Sequence, residues 1–140
     1  TDSWNNGTEQ IMSVSQLKDL DPAVVELGLH SFEHRAYSTL SIELVQEDFK
    51  NCHDFVSKHK LNVCNVLAYP YGNFPRKKSQ KSQFFKELEA QNIAYGLRIG
   101  NRLNKLPFKN NYELNRLDVK GEYSLFKFKL KLKLGKLSLF

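Results

Sequence analysis

The sequence predicts an α/β fold whose sheet is mostly parallel. Two observations carry that prediction. Four short β-type runs (VVELGLH at 24–30, VCNVLAY at 63–69, IAYGLRI at 93–99 and ELNRLDV at 113–119) are interleaved with helical stretches in the order helix, strand, helix, strand, helix, strand, strand, tail. Within the longest helical stretch, apolar residues recur at three- and four-residue steps, the period of one helix face. Alternation of this kind implies parallel strands joined by helical crossovers.

The elements follow in chain order. Residues 1–10 are polar apart from Trp4 and read as a loop. Ser13 and Gln16 have the spacing of a capping box, with Leu17 and Leu20 at helical spacing behind them. Asp21-Pro22 ends that short helix. Val24–His30 reads as a strand because it is too short for a helix. Ile42, Val45, Phe49, Cys52 and Val56 mark the clearest amphipathic helix, with Ser41 as its cap and Glu43 near its positive end. Residues 63–69 form the next strand, and Pro70-Tyr71-Gly72 breaks it. The polar, basic stretch 73–81 reads as a surface loop, and Phe84, Phe85 and Leu88 place a helix over 82–91. The tail stays open between two forms. Phe126, Phe128, Leu130, Leu132 and Leu134 alternate with other residues as in a strand, whereas Leu125, Phe128 and Leu132 share one helical face behind a Ser124 cap.

With 140 residues, 41% of them hydrophobic and 26% charged, the chain favours one domain over 1–140 and excludes collagen-like and wholly disordered classes. No apolar run is long enough to span a membrane. Cys52 and Cys64 make no disulfide framework. The net charge of +6 is local: residues 120–140 hold six lysines against Glu122, while the other 119 residues hold 15 basic and 14 acidic side chains. The basicity therefore belongs to a terminal amphipathic element, and no nucleic-acid partner is expected.

His30-Ser31-Phe32-Glu33-His34 is the most chemical segment. Two imidazoles four residues apart, just past a strand, can converge on one divalent cation such as zinc, with a third ligand from elsewhere. The alternative is a pair of ordinary surface or hydrogen-bonded histidines. The five residues also fit H-x-x-E-H, an inverted zinc-peptidase pattern that requires a helix over 30–34. His53 and His59 read as solvated. The turn Tyr69-Pro70-Tyr71-Gly72 can present a backbone N–H at the sheet end, or can simply end a strand. His30, His34 and Tyr71 all follow the carboxyl ends of strands, where parallel sheets gather ligands.

ELGLHSFEH resembles the H-[S/T]-x-x-H motif of the polysaccharide deacetylases (carbohydrate esterase family 4, the NodB-homology domain), and LAYPYG resembles that family's Pro-Tyr/Phe-Gly motif. MSVSQLKDL is similar to the helix before the His motif, and LNRLDVKGEYSLFKFKLKL to the closing strand and helix of its envelope-polysaccharide members. The similarity runs from about residue 11 to the end, and the two motifs stand about 40 residues apart.

The resemblance implies part of a deformed (β/α) barrel and metal-dependent hydrolysis of N-acetyl groups on a cell-envelope or capsular polysaccharide. It implies a divalent metal, foremost zinc, held by His30, His34 and an aspartate. It implies an oxyanion donor at the Tyr71 backbone N–H, and a substrate surface at Tyr69, Pro70, Tyr71 and Gly72. The family's T-F-D-D motif, source of the base and the third ligand, has no counterpart here, and Asp2 lacks its pattern. The arginine that orients the base is replaced by Ala68, which leaves Arg116 as a candidate substitute. No histidine follows His59 to act as the acid.

The expectation is therefore an N-terminally incomplete domain whose base and third ligand lie upstream, inactive as 140 residues alone. Its open sheet edge would be covered by that segment or by another copy of the chain. A non-catalytic carbohydrate- or polyanion-binding remnant of the same fold is the alternative. The compartment, cell envelope or cytoplasm, stays open.

Overall fold

A computed structural model of the chain describes residues 11–135. The readings made above for residues 1–10, including Asp2, and for Lys136 and the rest of the tail lie outside them.

The order of elements is α1 (Val14–Lys18), β1 (Leu27–Leu29), α2 (Ile42–His59), β2 (Val63–Ala68), α3 (Lys78–Ala90), β3 (Tyr95–Ile99), β4 (Leu114–Arg116) and α4 (Leu125–Leu134). The four strands form one sheet in the order β1-β2-β3-β4, every pair parallel. Consecutive strands are thus neighbours, and all carboxyl ends open on one side.

Local chemistry explains where each element starts. The Ser13 side chain accepts from Gln16 N–H and the Gln16 side chain accepts from Ser13 N–H, a complete capping box. Ser41 caps α2 through Leu44 N–H, and the stripe Val45, Phe49 and Cys52 turns inward. These side chains meet Leu29 and Leu67 of the sheet, Phe84 and Leu88 of α3, and the rings of Tyr37, Tyr69 and Phe74 in one core. Each fully buried large apolar side chain contributes about 1.5–3 kcal/mol of burial free energy. The core sits just beneath the carboxyl ends of β1 and β2, so it props up the loops that leave them.

Several boundaries differ from the sequence reading, each for a local reason. The run 24–30 shrinks to a three-residue strand because Val24 N–H and Val25 N–H donate to the Asp21 carbonyl in a turn. Helix α3 begins at Lys78, inside the stretch read as loop; its first turn carries no apolar residue and so leaves no periodic signal. The run 113–119 becomes a turn over 111–113, capped by the Asn110 side chain on Tyr112 N–H, and then a short β4. The tail resolves as a helix, opened by Ser124 accepting from Lys127 N–H. The face anticipated for it is not the buried one: Leu125 and Leu132 are exposed, and Lys131 is buried.

At the outer edge of β4, the Asn104 side chain accepts from Asn115 N–H at 2.8 Å and donates to Asn115 C=O at 3.0 Å. It occupies the two backbone groups that another strand would use there.

Candidate metal centre

The loop that carries both histidines leaves β1 under strain. Ser31 (φ 67°) and His34 (φ 55°) are both left-handed, a region that costs a residue with a side chain about 1–2 kcal/mol. Asp48, buried on α2, holds the loop in place. Its Oδ1 accepts from Phe32 N–H at 2.9 Å and from Glu33 N–H at 3.4 Å, while its Oδ2 accepts from the Tyr37 hydroxyl at 2.8 Å. Burial, and then the Asp48 charge, push the Tyr37 phenol far above its ordinary range, so it stays a donor. The same two causes raise the Cys52 thiol to about 12, so it stays protonated and is no thiolate ligand at neutral pH.

His30 Nδ1 lies 2.6 Å from the Ala68 carbonyl. A carbonyl only accepts, so Nδ1 carries the proton and Nε2 of the neutral ring offers its lone pair. His34 Nε2 approaches that atom to 3.1 Å. Two nitrogens bound to one ion at 2.0–2.1 Å stand about 2.9–3.4 Å apart, depending on the coordination angle, so the donor set fits a transition-metal cation. The backbone carbonyl behind His30 is the outer partner that ligating histidines ordinarily have. Burial first, and the neighbouring His30 second, hold His34 below its ordinary pKa.

The turn after β2 completes one wall. Tyr71 is left-handed (φ 56°), as is Gly72 (φ 66°), where a Cβ would meet the backbone of Ile99. The Tyr71 ring packs edge-on against His34, with centroids 4.9 Å apart, and is 55% exposed. Tyr69, Pro70 and Gly72 are buried. This corrects one expectation: the Tyr69 ring lies wholly in the core, its hydroxyl donating to the Tyr112 carbonyl, and no sugar can stack on it. What Tyr69 offers to the site is its carbonyl oxygen, which accepts from Gly72 N–H at 2.9 Å and from Arg116 Nη2 at 3.2 Å.

Arg116 is the last residue of β4, so it reaches the turn from the same side of the sheet. Its Nε is buried with no hydrogen-bond partner among the described residues, and no described carboxylate pairs with it. Burial lowers its pKa. The structure therefore brings His30, His34, the Tyr71 turn and Arg116 together at the carboxyl end of the sheet. Among the described residues, no group of three or more His, Cys, Asp or Glu side chains is arranged to hold a metal ion.

Other readings do not survive. Residues 30–34 form no helix, and the Glu33 carboxylate turns to Arg35 at 3.4 Å, so the peptidase arrangement is absent. His53 and His59 are half-buried, His53 near the Gln91 side chain at 3.1 Å and stacked on Phe49, His59 against Phe55.

Asp48 and Tyr37 are the residues that the sequence reading missed. Asp48 had a signal: it falls on the apolar stripe of α2, beside Val45, Phe49 and Cys52, where a carboxylate needs partners.

The paired geometry sets a pH dependence. Both Nε2 atoms must be unprotonated to hold a cation, and His34 is already held below the ordinary imidazole range. Zinc affinity is expected to fall on acidification, and the part carried by His34 should persist below the ordinary imidazole range. The slope is about tenfold per pH unit for each proton displaced. Calorimetric titration across pH checks this.

A family model described as polysaccharide deacetylase matches residues 3–88, a span that holds β1, the His30–His34 loop, α2, β2 and the Pro70–Gly72 turn. No curated protein and no solved structure matches the chain.

Proposed function

The chain belongs to the polysaccharide deacetylase family, and from that premise we propose that it serves metal-dependent hydrolysis of N-acetyl groups on a cell-envelope or capsular polysaccharide. The observation that carries the metal is the approach of two imidazole Nε2 atoms to 3.1 Å at the carboxyl end of a parallel sheet. In this reading the sheet is part of the family's (β/α) barrel, and His30 and His34 hold a divalent cation, foremost zinc. A carboxylate from outside the described residues is the third ligand, and another is the base.

A cation bound there supplies Lewis acidity to the acetyl carbonyl and lowers the pKa of bound water. The protein's own groups do the rest. The Tyr71 backbone N–H donates to the oxygen that becomes negative during attack. The Arg116 guanidinium, free of any described carboxylate, orients the base through paired N–H donors. The exposed Tyr71 ring flanks the sugar and shields His34 from water. Pro70 and Gly72 shape the turn that sets the Tyr71 peptide.

The competing reading is a binding remnant of the same fold without catalysis, favoured by the lack of a three-ligand cluster among the described residues. Acetate release from an N-acetylglucosamine oligosaccharide by the native full-length protein separates the two. Release that requires added zinc, stops with a chelator and is lost in His30→Ala supports the hydrolase. Sugar binding without acetate release, or release indifferent to the chelator, sinks it.

A further inference from the structure

Helix α4 carries two apolar stripes separated by lysines, and apolar side chains of both stripes are exposed. Its buried residue is Lys131, 7% exposed, whose Nζ donates to the Asp118 carbonyl and lies 5.4 Å from the centre of the Tyr123 ring. Its outer side carries Leu125, Phe126 and Leu132, which are 65%, 76% and 49% exposed. At 3.6 residues per turn these three, with Lys129 and Lys133 between them, span an arc of roughly 120° opposite Lys131. There is no acidic residue in the helix. At its end the Gly135 backbone lies against Arg102 and Leu103 of the β3–β4 connection. Residues 100–112 of that connection also contain basic and exposed apolar side chains and no acid.

We propose that this face of α4 docks on an anionic lipid bilayer. Large apolar side chains in water are unfavourable unless something covers them, and the cover must also accept two ammonium groups in the same arc. A polyanionic sugar would pair with Lys129 and Lys133 but leave Leu125, Phe126 and Leu132 in water. An apolar protein surface would cover the leucines and bury the lysines unpaired, at high cost. The headgroup boundary of an anionic bilayer takes both, with rings and leucines at the acyl boundary and ammoniums at the phosphates. The interaction lies on the membrane surface, because among the described residues no helix is long and apolar enough to cross a membrane. It is independent of the deacetylase reading.

The test is co-sedimentation of the full chain with vesicles of phosphatidylcholine mixed with phosphatidylglycerol, against phosphatidylcholine alone. At least about tenfold stronger binding to the anionic vesicles is expected, weakening with salt. The double substitution Leu125→Gln, Phe126→Gln should remove at least about tenfold of it while the circular dichroism stays unchanged, since both side chains are exposed. Three results overturn the proposal. One is no binding to anionic vesicles. Another is binding that heparin displaces and that the double substitution leaves intact, the mark of a simple polyanion surface. The third is concentration-dependent self-association abolished by the double substitution, which would make a second copy the occupant.

Discussion

Replacing His30 by alanine is expected to lower zinc affinity at neutral pH by at least about 100-fold, the upper end of what losing even an outer-shell partner costs. The reasoning is geometric. The proton of His30 is fixed on Nδ1 by a backbone carbonyl, Ala68 C=O at 2.6 Å, so its Nε2 is presented without rearrangement. His34 Nε2 faces that atom at 3.1 Å and, with no ion between them, is the donor of the pair. To bind a metal, His34 would shift that proton to its Nδ1, and in the absence of His30 one imidazole remains to hold the ion. The fold should tolerate the change, because His30 is half-buried and outside the main core. Isothermal titration with zinc, beside a thermal melt of the same variant, separates lost affinity from lost structure. Affinity within a few-fold of the parent would place the ion elsewhere.

Replacing Asp48 by alanine is expected to destabilise the fold by about 3–4 kcal/mol, the largest effect among the polar residues. Three donors lose their acceptor at once: Phe32 N–H, Glu33 N–H and the Tyr37 hydroxyl. Tyr37 is wholly buried, so its hydroxyl has no route to water, and an unsatisfied buried polar group costs about 1–3 kcal/mol. The loop also loses the hydrogen bonds that offset left-handed Ser31 and His34. Asp48→Asn keeps an oxygen for the two amides and offers its amide group to the Tyr37 oxygen, and it should cost less than half as much. Urea midpoints of the two variants check the ratio. Zinc affinity should fall in parallel with the loop's loosening, by roughly 10–100-fold for the alanine variant.

Much of this architecture was legible in the sequence where one residue type has one job. Ser13 with Gln16 and Ser41 before Ile42 mark helix starts because orphan N–H groups need an acceptor, and both caps are present. The α2 stripe is legible because burial repeats with the helical turn. The gathering of His30, His34 and Tyr71 at one end followed from the parallel order, since residues that trail parallel strands share a side; Arg116, read inside the run 113–119, joins them because β4 ends at it. What failed to read was decided by hydrogen bonds and backbone angles that residue type alone does not show. Val24 and Val25 have strand propensity, but the Asp21 carbonyl claims their amides. Tyr69 and Tyr71 sit two apart in one turn, yet one ring is in the core and the other in solvent, because a left-handed backbone at Tyr71 re-aims the chain. In the tail the alternation of LFKFKLKLKL fits a strand as well as a helix, and the pattern alone leaves both open. As a helix it becomes two apolar stripes between lysines, and the contact of Lys131 with the Asp118 carbonyl decides which side turns inward.

The central claim is that His30 and His34 share one divalent cation. Anomalous diffraction at the zinc edge, from crystals of the native protein grown with zinc, measures this directly. The account predicts a single strong peak within bonding distance of both Nε2 atoms, below the Tyr71 ring. A peak bound to only one of these histidines, or a zinc-bearing crystal with no peak between them, would contradict it.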